Sequence, residues 1–290
     1  MAAKPIVAGT DGSEESLRAV GWAAREAALR GAPLRIVSAE EAPPGMITRA
    51  GQGEQQRVTD VLLGQRDQAL AAAAERAAKA AHGVLIDTDT LTGSVDEAVT
   101  GAGSGALMLV LGSRGRGAFT ALLLGSVSRY VASHASCPVV VIRDEPPSPH
   151  GLVGVGVANL DRCGDALTFA FEEASLQKAS LLVLHAWHTP ETEISRAGSG
   201  PHESGAEAAA DAAGHLNALL DDWRAKYPGV QVSQELVHGH PGRALVGLSA
   251  RTDLVVIGRR ARHSGQAGRG SVRHALLNHA HGPVVTVPSA

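Results

Sequence analysis

The chain has few cysteines, few aromatic residues, no long apolar run and no large excess of charge. Its two cysteines, Cys137 and Cys163, cannot build a disulfide framework or a four-cysteine zinc site. No apolar stretch reaches the ~18 residues that cross a bilayer, and the first residues lack the apolar segment of a signal peptide. With 26 basic and 29 acidic residues, the net charge of −3 gives no basic excess of the kind that nucleic acid requires. We therefore expect a cytoplasmic protein that has neither a membrane nor a nucleic-acid partner.

Short apolar runs alternate with alanine-rich segments along the chain. In the first half these runs predict strands over residues 5–8, 34–37, 84–86, 107–111 and 139–142. Residues 13–30 between them show the i, i+3, i+4 apolar spacing of an amphipathic helix. Strands that alternate with helices predict a parallel sheet covered on both faces, and aromatics at 3% predict a core of Val, Leu, Ile and Ala.

The second half repeats the order of the first. The segments that begin at Val20 and Leu167 match with an offset of 147, and those that begin at His134 and His279 match with an offset of 145. An offset that drifts by so little indicates duplication. The predicted fold class is α/β, with two tandem doubly wound parallel-sheet domains of five strands each, over residues 1–145 and 146–290.

A glycine-rich segment follows the fourth predicted strand. Its pattern is G-x2-G-x9-G-S, carried by Gly112, Gly115, Gly125 and Ser126. Glycines allow backbone amides to approach an anion closely, and a helix N-terminus adds unpaired N–H groups. The hydroxyls of Ser126 and Ser128 can donate to phosphate oxygens, and Arg114 and Arg116 can add charge. The segment is neither a Walker A loop nor a compact GxGxxG turn.

This spacing resembles the universal stress protein family, as do the opening GTDGSEES and the closing HASCPVVV. The resemblance covers nearly the whole chain as a tandem pair, and it implies an adenine-nucleotide α-hydrolase-like fold that binds ATP with Mg²⁺. It implies that Asp11 contacts adenine or the metal, and that Gly9 and Ala39 line the adenine slot. Ribose and phosphates would contact Gly112, Gly115, Gly125, Ser126, Val127 and Ser128. An alternative role for Asp11 is to cap or turn the chain before the first helix.

The second copy lacks several of these residues. Asp11 corresponds to Ala158 and Gly115 to Ala261, and one residue is deleted before Gly270. We expect Ala261 to disfavour a positive φ and to bring a methyl group toward any phosphate. The prediction is one conventional ATP site in each chain, in the first domain, with a second domain whose nucleotide site is degenerate.

The histidines and cysteines do not predict a metal site or a catalytic site. Thirteen histidines include His238 and His240, which we interpret as structural or solvated, so no metal site is predicted. Cys137 precedes Pro138 at a predicted core strand and is expected to be packed. No catalytic constellation emerges. The terminal strands, PVVVI and PVVTV, predict pairing of the two halves or a homodimer, as the resemblance also implies.

The resemblance implies a nucleotide-dependent regulatory protein of the stress response. Three alternatives stay open. The first is a slow ATPase or autophosphorylating enzyme that uses the same loop. The second is an interaction scaffold that needs no nucleotide, and the third is a binder of cyclic nucleotide or another adenosine ligand.

Overall fold

A computed structural model describes residues 3–39, 52–115, 124–143, 149–158, 162–187, 203–259 and 270–289. The chain divides into two compact units, Met1–Asp144 and Glu145–Ala290. Within the described residues no helix has the length and apolarity that a membrane crossing requires.

The first unit alternates strands with helices. Its elements are β1 (Ile6–Gly9), α1 (Glu14–Arg30), β2 (Leu34–Ala39), α2 (Gln52–Ala80), β3 (Ile86–Leu91), α3 (Val95–Ala102), β4 (Met108–Gly112), α4 (Ser126–His134) and β5 (Val139–Ile142). The strand order is β3-β2-β1-β4-β5, and every neighbouring pair is parallel. Because β1 lies between β2 and β4, the order reverses there, and this reversal is where doubly wound sheets generally bind ligands.

The second unit has the same plan. Its elements are β6 (Leu152–Val157), α5 (Gly164–Gln177), β7 (Ser180–Trp187), α6 (Glu203–Lys226), β8 (Val232–His238), α7 (Pro241–Ser249), β9 (Leu254–Arg259), α8 (Gly270–His279) and β10 (Val284–Pro288). Its strand order is β8-β7-β6-β9-β10, again parallel throughout. The predicted α/β class with five strands in each of two tandem units is confirmed.

The apolar runs predicted strands that are covered on both faces, and this holds for β1 and β5 but not for every strand. All four residues of β1 and all four of β5 are buried. Small residues of α1 and α2 complete the first core, with Ala23, Ala73 and Ala77 at 0% exposure. The second unit instead stacks Phe171 on Trp223 and Tyr227, with ring centroids 5.5 and 5.4 Å apart. The expectation of an aliphatic core therefore holds for the first unit, whereas the second adds an aromatic cluster.

One predicted strand was misplaced. The apolar run 84–86 predicted β3, but the strand is Ile86–Leu91 with the sequence IDTDTL. It lies at the end of the strand order of its unit, none of its six residues is buried, and its four central residues are all polar. A search for continuous apolar runs misses a strand of this kind because those runs identify strands that are covered on both faces.

Candidate functional site

The predicted adenine residues lie at the carboxyl ends of adjacent strands. Gly9 ends β1 and pairs with Val37 of β2, so Ala39 lies two residues further along the same edge. A Cβ at Gly9 would lie 2.5 Å from Leu111 Cδ2 and 3.8 Å from Val99 Cγ1. Gly9 is therefore already required by core packing, whereas Ala39 is partly exposed at the rim of the edge.

Asp11 lies in the turn between β1 and α1. Its Oδ1 accepts hydrogen bonds from the Ser13 backbone N–H at 3.0 Å and from the Ser13 hydroxyl at 2.6 Å. Ser13 in turn caps α1, since its Oγ accepts from the Ser16 amide at 3.3 Å. The turn role that we named as the alternative for Asp11 is therefore present, and a contact with ligand stays a prediction.

A buried pair of hydroxyls supports the same turn. Thr10 Oγ1 lies 3.1 Å from Ser16 Oγ, and it also accepts from the Gly12 amide at 3.1 Å. Gly12 has a φ of 78°, which explains a glycine at this position. The sequence analysis did not predict that these hydroxyls hold the turn. The several hydroxyl residues in GTDGSEES were the feature that could have indicated it.

The three loop glycines permit close packing. A Cβ at Gly112 would lie 2.8 Å from the Glu15 carbonyl carbon and oxygen, and one at Gly125 would lie 3.4 Å from the Ser113 carbonyl oxygen. A Cβ at Gly115 would overlap Asp11 Oδ2 and lie 3.3 Å from Asp11 Cγ. None of the three has a positive φ. The expectation that Gly115 is needed for a positive φ was wrong, because the constraint is the space that neighbouring atoms leave.

The loop leads to the N-terminus of α4. Gly125 is the N-cap residue, with φ −67° and ψ 153°, and it has no side chain to cap the helix. The amides of the first turn have no acceptor within the helix. No acidic residue lies in this turn, whereas the first turns of α1 and α3 each carry two. Among these three helix ends, α4 therefore presents the electrostatics that suit an anion.

The predicted phosphate residues of α4 differ in exposure. Ser126 is exposed and Val127 is partly exposed, while Ser128 is 6% exposed. The Ser128 hydroxyl donates its proton to the Gly112 carbonyl at 2.7 Å. In this structure it therefore joins α4 to the end of β4, and a contact of Ser128 with phosphate stays a prediction.

The predicted charge beside the loop is also engaged. The Arg114 guanidinium forms an ion pair with the Glu15 carboxylate at 3.3 Å, and its side chain is 42% exposed. Arg116 lies outside the described residues. The Arg114 charge is thus partly offset by Glu15, and the backbone amides of the first turn of α4 are a further source of positive potential.

The corresponding edge of the second unit is built differently. Ala158 follows β6 and is exposed, and Val157 and Cys163 occupy the positions of the hydroxyl pair Thr10 and Ser16. Helix α5 begins at Gly164, which corresponds to Leu17, so its described start comes three residues later than that of α1. A Cβ at Gly258 would lie 3.7 Å from Ala166 Cβ, an ordinary contact. Ala261 lies outside the described residues.

Two of the histidines make structural contacts, and both cysteines are buried. His240 is the N-cap of α7, where its Nδ1 accepts from the Gly242 amide at 3.2 Å. The His134 ring stacks on Tyr130 with centroids 4.1 Å apart. Cys137 is buried, as predicted. No cluster of three or more metal-ligating side chains occurs in the described part of the chain.

Known proteins are similar to this chain in sequence. The sequence profile of the universal stress protein family matches residues 2–143 and 152–288. Universal stress protein MT2052 of Mycobacterium tuberculosis is 34% identical, over 97% of this chain and 93% of its own length. Universal stress protein Mb2028c of Mycobacterium bovis is 33% identical, over 97% of this chain and 95% of its own.

A solved structure gives the same result for the fold. A universal stress protein from Archaeoglobus fulgidus has a TM-score of 0.71 at 17% identity and covers 99% of both chains. A universal stress protein in complex with cAMP is 29% identical over 49% of this chain and 97% of that chain, with a TM-score of 0.37. The two sequence matches, one in each unit, identify this chain as a tandem member of the universal stress protein family.

Proposed function

We propose that the first unit binds ATP at the carboxyl ends of β1, β2 and β4, and that the bound nucleotide regulates the protein in a stress response. The proposal extends the predicted roles of Gly9, Asp11 and Ala39 at the adenine slot, and of the loop glycines at the phosphates. The observation that carries it is the N-terminus of α4, which has no side-chain cap and no acidic residue and adjoins the end of β4.

The geometry suits a phosphate group for two reasons. The amide of Gly125 is already used by the Ser113 carbonyl at 2.7 Å, and this bond holds the start of α4 against the end of β4. The amides of Ser126, Val127 and Ser128 belong to the first helical turn, where intrahelical acceptors are lacking. A phosphate there would accept from these amides and interact favourably with the helix dipole.

Mg²⁺ fits this site as a companion of the nucleotide. Mg²⁺ in proteins is commonly held by one or two carboxylates together with the phosphates of the substrate. Asp11 is the described carboxylate in the turn beside Gly115, so it is the group that we assign to the metal or to adenine. When bound, Mg²⁺ would supply charge to balance the phosphates.

The second unit is proposed to bind no ATP in the same way. It lacks the carboxylate at Ala158, and its α5 begins later than α1 does. One nucleotide per chain is the expected stoichiometry. We also propose a cytoplasmic location and a dimer or pseudo-dimer formed through the terminal strands, which sedimentation of the purified chain would test.

Proline at position 126 gives a direct test. Proline is tolerated in the first turn of a helix, and Gly125 already has the extended conformation that a residue before proline requires. Ser126→Pro therefore deletes one amide N–H while leaving α4 intact. We expect it to weaken ATP binding about tenfold, as measured by isothermal titration calorimetry.

Two matched variants distinguish the possible causes of a weaker ATP affinity in Ser126→Pro. Ser126→Ala removes the hydroxyl but keeps the amide, so we expect a smaller loss, of about threefold at most. Ser271→Ala makes the same hydroxyl deletion at the corresponding position of α8 in the second unit and should leave ATP affinity unchanged. Equal affinities for wild type and Ser126→Pro would refute a phosphate at this turn.

Mass spectrometry of ligand released from freshly purified protein distinguishes the remaining functions. Intact ATP supports the regulatory proposal, whereas ADP with phosphorylated protein indicates the enzymatic alternative. Recovery of cAMP indicates a cyclic-nucleotide binder. Absence of any nucleotide, together with no ATP-induced rise in melting temperature, indicates a scaffold.

A further inference from the structure

The Asp11 carboxylate lies against the backbone of Gly115. We propose that Asp11 is a positioning residue, in addition to its assigned contact with nucleotide or metal: it sets the place of Gly115, and glycine is required at 115 because of this carboxylate. The inference rests on the proposed function only for its effect on nucleotide affinity, since the contact itself is present without a ligand.

The carboxylate is anchored on the side away from Gly115. Its Oδ1 accepts from both the amide and the hydroxyl of Ser13, at 3.0 and 2.6 Å. The Ser13 hydroxyl also accepts from the Ser16 amide, so the anchor is part of the cap of α1. Rotating Oδ2 away from Gly115 would therefore break two charge-assisted hydrogen bonds and disturb a helix cap.

The backbone of Gly115 does not by itself require glycine. Its φ is not positive, so an L-residue can adopt the same conformation. The obstacle to a side chain is the Asp11 carboxylate, because a Cβ would overlap Oδ2 and lie 3.3 Å from Cγ. At Gly125, by contrast, the nearest atom to such a Cβ is a backbone oxygen at 3.4 Å.

The second copy supports a coupled pair. Where the first copy has Asp11 and Gly115, the second has Ala158 and Ala261. A steric pair predicts this joint exchange, because removal of the carboxylate removes the reason for glycine. The two differences thus count as one change in the site, not as two independent losses.

The coupling has a consequence for the loop. Gly115 is three residues beyond the end of β4, and Asp11 is two residues beyond the end of β1. Their contact therefore joins the turn before α1 to the described residues that follow β4. By fixing this segment, Asp11 would influence phosphate binding without itself touching a phosphate.

A mutant cycle measured without nucleotide tests the contact. We expect Gly115→Ala to lower the melting temperature of the full chain by at least about 4 °C. Adding Asp11→Ala should suppress this loss, so that the double variant melts within about 1 °C of Asp11→Ala alone. If Gly115→Ala does not fold, recovery of folding in the double variant gives the same support. Additive melting shifts, or an unchanged melting temperature for Gly115→Ala, would overturn the inference.

Asparagine at position 11 is the matched control. Asp11→Asn keeps the shape of the side chain and an oxygen for Ser13, so it should not suppress Gly115→Ala. Suppression by asparagine as strong as that by alanine would contradict a steric cause. In metal-free buffer, Asp11→Ala should weaken ATP binding more than Asp11→Asn does, because only alanine also removes the contact that places Gly115. Equal losses for the two would refute the positioning role.

The two proposals fail in different ways. Wild type that binds no ATP would overturn the proposed function, while the melting cycle would still decide the Asp11–Gly115 contact. Additive melting shifts together with normal ATP binding would overturn the contact and leave the proposed function in place.

Discussion

A methyl group at Gly112 should destabilise the first unit far more than the same change at Gly258 in the second. The two glycines occupy corresponding strand ends, but their surroundings differ. A Cβ at Gly112 would lie 2.8 Å from the backbone carbon and oxygen of Glu15, and one at Gly258 would lie 3.7 Å from Ala166 Cβ. Favourable carbon–carbon contacts lie near 3.5–4.0 Å, so only the first position is overpacked.

The expected loss of stability in Gly112→Ala depends on which atoms must move to make room for the methyl group. The obstacle at Gly112 is the backbone of the first turn of α1, which cannot rotate aside as a flexible side chain can. Overpacking of a core costs about 1–3 kcal/mol, and we expect Gly112→Ala to cost about 3 kcal/mol. With a urea m-value of about 2 kcal/mol/M, the unfolding midpoint of the first unit should fall by roughly 1.5 M. Gly258→Ala should change its unit by less than about 0.5 kcal/mol.

Urea titration followed by hydrogen-exchange mass spectrometry reports the two units separately. Peptides from α1 should lose protection at lower urea in Gly112→Ala, and peptides from α5 should not. The two glycine variants then serve as controls for each other. Equal shifts in both units, or no shift in the first, would refute the close packing of β4 on α1.

Three further substitutions give smaller expected effects. Ser128→Ala should destabilise the first unit by about 1 kcal/mol because it removes a buried hydrogen bond. The control Ser126→Ala should change the stability by less than about 0.5 kcal/mol. The midpoints of urea unfolding measure both changes. The hydrogen bond from Arg35 holds the pKa of Asp89 below its ordinary value. This partly exposed pair should contribute less than about 1 kcal/mol at pH 7. A lowered folded-state pKa means that this stability is present above the unfolded value of about 3.9 and is lost as the pH falls through the folded value. Asp89→Asn should therefore differ from wild type at pH 7, and the difference should shrink as the pH is lowered below the unfolded value. His240→Ala should remove the cap of α7 and cost about 1 kcal/mol, with His240→Ser retaining most of it in thermal unfolding.

The fold could be predicted from sequence because its signals are local and repeated. The run 139–142 coincides with β5, and the helical spacing over 13–30 includes all of α1 with its cap at Ser13. Strand β3 was misplaced because its four central residues are polar and the strand is not buried, so it does not form an apolar run. The aromatic stack on Phe171 was not anticipated, because sequence spacing does not show that α5 and α6 bring their rings together.

The spacing of the glycines identified the candidate site in the sequence. It did not show why particular residues are needed there. Sequence identified Gly115 as exceptional, yet attributed this to backbone φ and to the approach of a phosphate, whereas the structure shows the Asp11 carboxylate where a side chain would lie. Likewise it assigned the Ser128 hydroxyl to phosphate, and that proton goes to a strand carbonyl. Both roles depend on distances in space between residues that are separated in sequence. Asp11 lies about 100 residues before Gly115, and Ser128 lies fewer than 20 residues after Gly112. The sequence pattern does not give these distances.

Equilibrium dialysis with labelled ATP tests the central claim most directly. The account predicts one nucleotide per chain at saturation, and loss of this binding in Asp11→Ala combined with Gly115→Ala. A stoichiometry near two, or binding that persists unchanged in the double variant, would contradict a single site in the first unit.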